Sequence, residues 1–213
     1  VSLLAPIRKH ISLCVYEAGP TGYALARALR ANDLPAQVVS PGSIPRCQTQ
    51  DSKTDQIDAR SLATLAASGL LGYVAVPSPR QDAHRQLLRH RAKARAELTR
   101  VKNRIKMFLL YNGIDEPEGL LNWSRAALAR LETMPLDQEV RMLLDMLIES
   151  YRFCAGHLAR YQGLVRRLAK NEDYAGRIER LRGIGGVGLL TAMTFMVEVH
   201  GAERFGEPEQ VAK

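Results

Sequence analysis

Apolar and polar positions alternate over short distances in the first third of the chain. Residues 11–17 (ISLCVYE) form a β-branched apolar run that ends at Glu17, just before a Gly-Pro pair, which predicts a strand and a turn. A second apolar run, AQVVS, lies between Pro35 and Pro41, and the intervening TGYALARALRAND predicts a helix capped by Thr21. This order predicts a parallel βαβ unit, whose strands we expect to be buried on both faces.

A polar stretch, RCQTQDSKTD, then leads into a helix predicted at residues 54–69. Thr54 is its predicted N-cap and Gly69 its C-terminal stop. The segment GYVAVPSPR that follows predicts a short extended strand or a linker. We therefore expect the α/β part of the chain to occupy residues 1–78.

The remaining pattern has a longer, helical period. Apolar positions alternate by four and three in two segments, which are separated by an Asn-Gly pair and a short helix predicted near residues 123–132. A period of about 3.5 residues predicts long coiled-coil helices, which pair either with each other or with another subunit. The pattern leaves both arrangements open. The positions that predict the seam are Leu87, Arg91, Ala94, Leu98, Val101, Ile105 and Phe108, then Val140, Leu144, Leu147, Tyr151, Cys154, Leu158, Tyr161, Val165 and Leu168.

The charge of the chain indicates a polyanionic partner. The 213 residues hold 30 Lys and Arg against 22 Asp and Glu, a net charge of +8, and residues 80–106 contain ten basic and two acidic residues. A solvated helix pair usually alternates signs, so this single-sign segment favours binding of nucleic acid, or of an anionic membrane surface, over a merely solvated face. The basic residues predicted to contact nucleic acid are Lys53, Arg89, Arg91, Lys93 and Arg95.

Composition excludes several classes of protein. A hydrophobic fraction of 46% and a charged fraction of 24% are ordinary for a globular chain and exclude a disordered one. The three cysteines lack CxxC spacing, which argues against a zinc site and against a disulfide framework. No apolar run reaches the roughly 20 residues of a membrane span, and we recognise no signal peptide. We therefore expect a cytoplasmic protein without a membrane partner.

Three carboxylates form the candidate catalytic site. Glu17 ends a predicted strand, which is where open α/β sheets place their ligands. Asp55 and Asp58 lie three residues apart at the start of a predicted helix, so both project from one face. If the fold brings Glu17 to the same place, the three carboxylates suit Mg²⁺ and a two-metal phosphodiester reaction. The alternative is that acids in a first helical turn merely complement the helix dipole, and spacing alone favours that alternative.

A glycine-rich segment near the end of the chain is the second candidate site. LRGIGGVGLLTA places four glycines before an apolar helix, so that the backbone turns tightly and the helix amides face an anion. This helix-hairpin-helix-like turn favours gripping of a DNA phosphate over a plain packing corner between two helices. The residues predicted to take part are Arg182, Gly183, Gly185, Gly186 and Gly188.

The motifs YEAGPTGYALARALR, VVSPGSIPR, SKTDQIDARSLATL and LRGIGGVGLLTAMTFMVEVHGAERF together resemble the insertion-sequence one-ten family of DEDD transposases. The resemblance implies a RuvC-like, RNase H-type domain at residues 1–78, a helical coiled-coil region at 79–172 and the start of a C-terminal transposase domain at 173–213. Four acids bind Mg²⁺ in this family. Glu17 matches the Glu of the Tyr-Glu-Ala-Gly motif, and Asp55 and Asp58 match the pair in the Lys-Thr-Asp-x-x-Asp-Ala motif.

The resemblance also implies functional parts that this sequence lacks. The first family Asp, with the first three strands, is expected to precede Val1, and the family's serine nucleophile is expected to follow Lys213. We therefore expect a fragment, truncated at both ends and inactive by itself, of a transposase that acts on DNA as a homo-oligomer with a structured guide RNA. The alternatives are a non-catalytic module for nucleic-acid binding and oligomerisation and, less well matched, a RuvC-like nuclease.

Overall fold

The computed structural model describes residues 2–44, 55–199 and 206–207, and the chain separates into two compact units, Val1–Pro79 and Arg80–Lys213. The first unit is an α/β structure, in which two short 3-10 helices, Ser2–His10 and Pro41–Ser43, accompany the main elements. These elements are β1 (Cys14–Glu17), α1 (Ala24–Arg30), β2 (Ala36–Val39), α2 (Asp55–Ala67) and β3 (Tyr73–Val74).

The three strands form one mixed sheet in the order β1-β2-β3. β1 and β2 are parallel, with Cys14 opposite Ala36 and Glu17 opposite Val39, and β3 runs antiparallel to β2. The predicted parallel βαβ unit is therefore confirmed. Its core lies where α1 covers β2, and the buried residues that form it are Ala26, Leu29, Leu34, Ala36 and Val38.

Two details of this unit differ from the prediction. The N-cap of α1 is Tyr23 and not Thr21, because the chain makes an additional turn in which Gly22 takes the left-handed backbone conformation with φ +58°. β1 is only half-buried and Glu17 is exposed, whereas β2 is largely buried. The reason is that α2, which lies on β1, buries none of its own residues fully and covers the strand incompletely.

The second unit is helical. Among the described residues, no helix combines the length and the hydrophobicity that a membrane span requires. Ser124 caps the helix that begins at Arg125 by accepting a hydrogen bond from the amide of Ala127, as expected for a serine at this position. The helices are α3 (Pro79–Tyr111), α4 (Arg125–Thr133), α5 (Gln138–Leu168), α6 (Ala175–Arg182) and α7 (Leu189–Glu198), with a 3-10 turn at Leu120–Asn122.

The two long helices, α3 and α5, pack against each other in antiparallel orientation within the chain. One cluster joins the C-terminal half of α3, from Val101 to Leu109, with α4 and with the first half of α5, from Leu144 to Tyr151. A second cluster joins Leu88, near the start of α3, with Val165, near the end of α5. The long helices therefore pair within the chain, and most of the heptad positions pack there, whereas Val140, Leu158 and Tyr161 lie outside both clusters.

The second cluster also includes α6 and α7, through Tyr174, Ile178, Met193 and Val197. Residues of the predicted coiled-coil region and of the predicted C-terminal region thus share one core. The division at residue 172, the supercoiling of the helices and the RNase H-like topology stay predictions.

Candidate functional site

Tyr16 anchors the end of β1 and thereby determines which way Glu17 faces. The Tyr16 hydroxyl donates a hydrogen bond to the carbonyl of Gly22 at 3.0 Å and accepts one from the amide of Ala26 at 3.2 Å. These bonds hold the strand against α1. Because neighbouring side chains of a strand point to opposite faces, Glu17 lies on the other face, toward α2.

Helix α2 presents one stripe of side chains to that face. Asp55, Asp58, Ala59, Leu62 and Ala66 recur at the three- and four-residue spacing of a single helical face. Most of these side chains are short, so they leave an open space beside β1 instead of filling it. The Asp residues both lie in the first turn of the helix, where the N-terminal end of the dipole stabilises negative charge. Gly69, with φ +67°, follows the helix as the predicted C-terminal stop.

The resulting space is a groove of about 1080 Å³ between β1 and α2, which we call the acid groove. Glu17, Asp55 and Asp58 all line it, so the structure brings the three predicted acids to one surface. None of the three forms an ion pair with a residue that the structure describes. Carboxylate oxygens at such a groove suit a hard divalent cation such as Mg²⁺.

The acids are not gathered as tightly as a complete metal centre requires. Within residues 2–44, 55–199 and 206–207, no three His, Cys, Asp or Glu side chains form a group that could hold a metal ion. His10 lines the same groove, a placement that its spacing in the sequence did not indicate. Lys53, which belongs to the same motif as Asp55, lies outside the described residues.

A line of cations runs along the exposed face of α3. Arg89, Lys93, Arg100 and Arg104 lie within about 60° of one another around the helix and span about 23 Å of its length. All four are exposed, and we call them the basic stripe. Arg100 and Arg104 were absent from the predicted contacts. They follow from the same period, because residues four and seven positions apart, such as Lys93, Arg100 and Arg104, return to one side of a helix.

The other predicted cations of α3 occupy different environments. Arg95 is exposed but lies away from the basic stripe. Arg91 is half-buried, and its Nε atom is buried without a hydrogen-bond partner among the described residues. Burial, followed by the charge of Arg95, lowers the pKa of Arg91. Of these two, Arg95 has the better access to a phosphate.

One carboxylate holds the start of α3 against the end of α7. Arg85 donates two hydrogen bonds to Oε2 of Glu198, at 2.9 and 2.7 Å, and Arg89 donates one to each carboxylate oxygen at 3.0 Å. Burial alone would raise the pKa of Glu198. The hydrogen bonds and charges of Arg89 and Arg85 together outweigh it, so that the pKa lies below the ordinary value of 4.5.

This arrangement predicts a loss of stability in acid. A carboxyl group with a lowered pKa stabilises the fold above its unfolded-state pKa, and this contribution is lost as the pH falls below 4.5 through the folded-state value. We would measure the free energy of unfolding in urea at pH 7 and at pH 3. Between these two pH values it should fall by about 1 kcal/mol less in Glu198→Gln than in the native chain. Glu179→Gln, an exposed acid on α6, is the matched control and should retain the full loss; an equal loss in both variants would contradict the assignment.

The glycine segment forms a tight turn between α6 and α7. Arg182 ends α6, Gly183 follows in the helical conformation, and Gly186 has φ +84°, in the left-handed region. Gly188 is the N-cap of α7, whose first intrahelical bond runs from Ala192 to Gly188. The amides of the first turn of α7 therefore lack intrahelical acceptors, and the exposed turn leaves room for an anion in front of them.

The turn predicts a contrast between two of its glycines. Gly186→Ala places a side chain at φ +84° and should destabilise the second unit by about 1–2 kcal/mol in thermal or urea unfolding. Gly185→Ala is the control, because its backbone is not left-handed and an added Cβ meets nothing within 4 Å. It should be neutral or slightly stabilising. Equal destabilisation by both would show that the turn differs from the one described.

Comparison with known proteins bears on these surfaces. Residues 4–111 match the family described as Transposase, of the IS110 DEDD type. The chain is 32% identical over 204 residues to y4qE of Sinorhizobium fredii, whose name proposes a transposase, covering 95% of this chain and 48% of that protein. It is also 32% identical over 191 residues to the "Transposase for insertion sequence element IS1533" of Leptospira borgpetersenii, covering 88% of this chain and 55% of that protein. The chain thus spans about half the length of these relatives.

Proposed function

The chain belongs to the IS110 family of DEDD transposases, and from this premise we propose that it is part of an enzyme that cuts and rejoins DNA strands in the bacterial cytoplasm. The observation that carries the proposal is the acid groove, where Glu17, Asp55 and Asp58 line one surface. The resemblance to the family's motifs implies that these acids are catalytic carboxylates, which supports the proposal. The full reaction belongs to the longer protein, with the serine nucleophile and the guide RNA that the family resemblance implies.

In this proposal Glu17, at the end of β1, and Asp55 and Asp58, in the first turn of α2, would contribute part of a ligand set for Mg²⁺ that the longer protein completes. When bound, the ion would supply a Lewis acid for a phosphoryl oxygen. Tyr16 acts as a positioning residue, since its two hydrogen bonds orient the strand end that carries Glu17. Because the described acids form no complete cluster, we expect this chain alone to bind the ion weakly.

A metal titration tests the acid groove directly. Mn²⁺ in place of Mg²⁺ permits detection by electron paramagnetic resonance, and Asp55→Asn, Asp58→Asn and Glu17→Gln should each weaken binding at least about tenfold. Asp115→Asn, an exposed acid of the second unit, is the matched control and should leave binding unchanged. Binding that is the same in all four variants would require the catalytic assignment to be withdrawn.

Strand transfer on supercoiled DNA tests the reaction itself. We would compare this chain with one extended at both ends from its genomic locus. We expect Mg²⁺-dependent joining of DNA by the extended chain and its loss in the Asp55→Asn variant. Joining that persists in this variant would refute the role of the acid groove.

A non-catalytic nucleic-acid-binding module is the second candidate. The basic stripe and the glycine turn favour this alternative. Both belong to the second unit, whereas the acids of the groove belong to the first, so nucleic acid could bind these two features without the acids. Salt-sensitive DNA binding that survives Glu17→Gln and Asp55→Asn, without strand joining by the extended chain, would support this alternative. We further propose that the longer protein is a homo-oligomer. Since most of the heptad positions pack within the chain, subunit contacts would mainly use other, exposed surfaces.

A further inference from the structure

Four aromatic rings form a continuous row along one edge of the α3–α5 pair. Phe153 and His157 of α5 have ring centroids 4.5 Å apart, and His157 meets Tyr161 edge-on at 6.3 Å. Tyr161 in turn stacks on His90 of α3, with centroids 6.4 Å apart and ring planes 10° apart. We call these four residues the ring row. They do not belong to either of the two buried clusters of this unit.

The ring row lies on a part of the surface that the shorter helices leave open. Helix α4 contacts the helix pair through the ion pair of Glu132 with Arg152 and through Leu131, on another side of α5 from Phe153. Phe153 is 65% exposed, His90 is exposed, and His157 and Tyr161 are half-buried. Phe153 thus presents an exposed aromatic face beside three further rings, and a contiguous apolar patch of this kind marks an interaction site more often than a single exposed side chain does.

Cations flank the ring row on both helices. Lys93 lies one turn beyond His90 on α3 and is followed by Arg100 and Arg104, while Arg160 precedes Tyr161 on α5. All four are exposed, and none forms an ion pair with a residue that the structure describes. By contrast, Arg85 and Arg152 are paired with carboxylates of neighbouring helices. The cations beside the rings therefore face solvent.

From this arrangement we infer that the ring row is a stacking site for the unpaired bases of a single-stranded nucleic acid, whose phosphates lie along the adjacent cations. The inference rests on the proposed function, since it adds a subsite to a nucleic-acid-binding surface. Exposed rings within a basic groove are the combination that single-strand-binding proteins use, because every base has an aromatic face. In a duplex those faces are already stacked, so the rings give no advantage there. A second copy of this chain would gain from the rings, but its own net charge of +8 would be repelled by the surrounding cations.

Substitutions at Phe153 test the stacking site without removing any buried residue. Fluorescence anisotropy would measure binding of a labelled 12-nucleotide DNA strand, the RNA strand of the same sequence and the corresponding DNA duplex. We expect Phe153→Leu to weaken single-strand binding about tenfold and to leave duplex binding within about twofold, because leucine keeps the apolar surface but cannot stack. Phe153→Trp should retain single-strand binding. Leu164→Ala, an exposed apolar residue of α5 outside the ring row, is the matched control and should change neither.

The outcomes separate this inference from the proposed function. Loss of affinity for the DNA strand, the RNA strand or both identifies which polymer occupies the site. Duplex binding that persists while Phe153→Leu has no effect on either strand overturns the stacking site alone. No binding of any nucleic acid by the native chain overturns the nucleic-acid-binding function as well. If Phe153→Leu instead abolishes self-association in sedimentation velocity and leaves single-strand binding intact, the rings contact a second copy of the chain, and the inference is wrong.

Discussion

Replacing Lys93, Arg100 and Arg104 with alanine should lower the affinity of the chain for duplex DNA about 100-fold at about 0.15 M salt. Each cation that neutralises a phosphate releases a condensed counterion, and its loss reduces the slope of log K against log salt by about 0.9. The triple variant should therefore bind with a slope smaller by roughly 2.7. None of the three side chains is buried, so the fold should be unaffected. A salt titration by fluorescence anisotropy measures both quantities.

A matched triple variant distinguishes contact from net charge. Arg125, Arg130 and Arg152 are exposed and lie on α4 and on α5, outside the basic stripe, and Arg130 and Arg152 are paired with Glu118 and Glu132. Their replacement by alanine also removes three positive charges, and we expect a change in DNA affinity well below that of the stripe variant. Equal losses in the two variants would show that overall charge, and not the stripe, attracts DNA.

Leu144→Ala should destabilise the second unit by about 2–5 kcal/mol. Leu144 is fully buried in the cluster that joins α3, α4 and α5, and its truncation removes apolar contacts and leaves a cavity among three helices. Because alanine is a good helix former, the effect reports on packing and not on the helix itself. Urea unfolding followed by circular dichroism measures the change in the free energy of unfolding.

Leu143→Ala is the control for this substitution. Leu143 is the neighbouring residue on α5 and is 54% exposed, so the same chemical change should alter the free energy of unfolding by no more than about 0.5 kcal/mol. If Leu143→Ala were instead the more destabilising of the two substitutions, our assignment of the face of α5 that packs in the core would be wrong. A large effect of Leu143→Ala on self-association would assign that face to a contact between subunits.

Local sequence patterns determined most of the secondary structure of this protein. The β-branched run before Glu17 and the run after Pro35 are strands, and the four-three alternation in both long segments is helical. These patterns are readable because burial of one face imposes a period of two on strands and of about 3.6 on helices. The start of α1 was wrong because Gly22 permits an additional turn, and a capping residue type such as Thr21 does not by itself specify where a helix begins.

The identity of the candidate site likewise followed from the motifs, but its assembly did not. The spacing of Asp55 and Asp58 by itself favours a plain helix start over a metal site. Whether Glu17 joins them depends on how α2 lies against β1, which is a long-range contact with no local signature. His10 and the ring row were missed for the same reason, since their members come together only across different elements.

The sequence by itself determined the family, the order of elements, the basic helix and the three candidate acids. Only the tertiary structure decided that the long helices pair within one chain, that Glu17, Asp55 and Asp58 line a common groove, and that Arg89 is paired with Glu198. The physical reason is that the hydrophobic period and the charge pattern of one helix or strand depend only on residues that are close together in the sequence. The choice of partner depends on the free energy of burying two distant surfaces together, and a one-dimensional pattern leaves several such partners equally favourable.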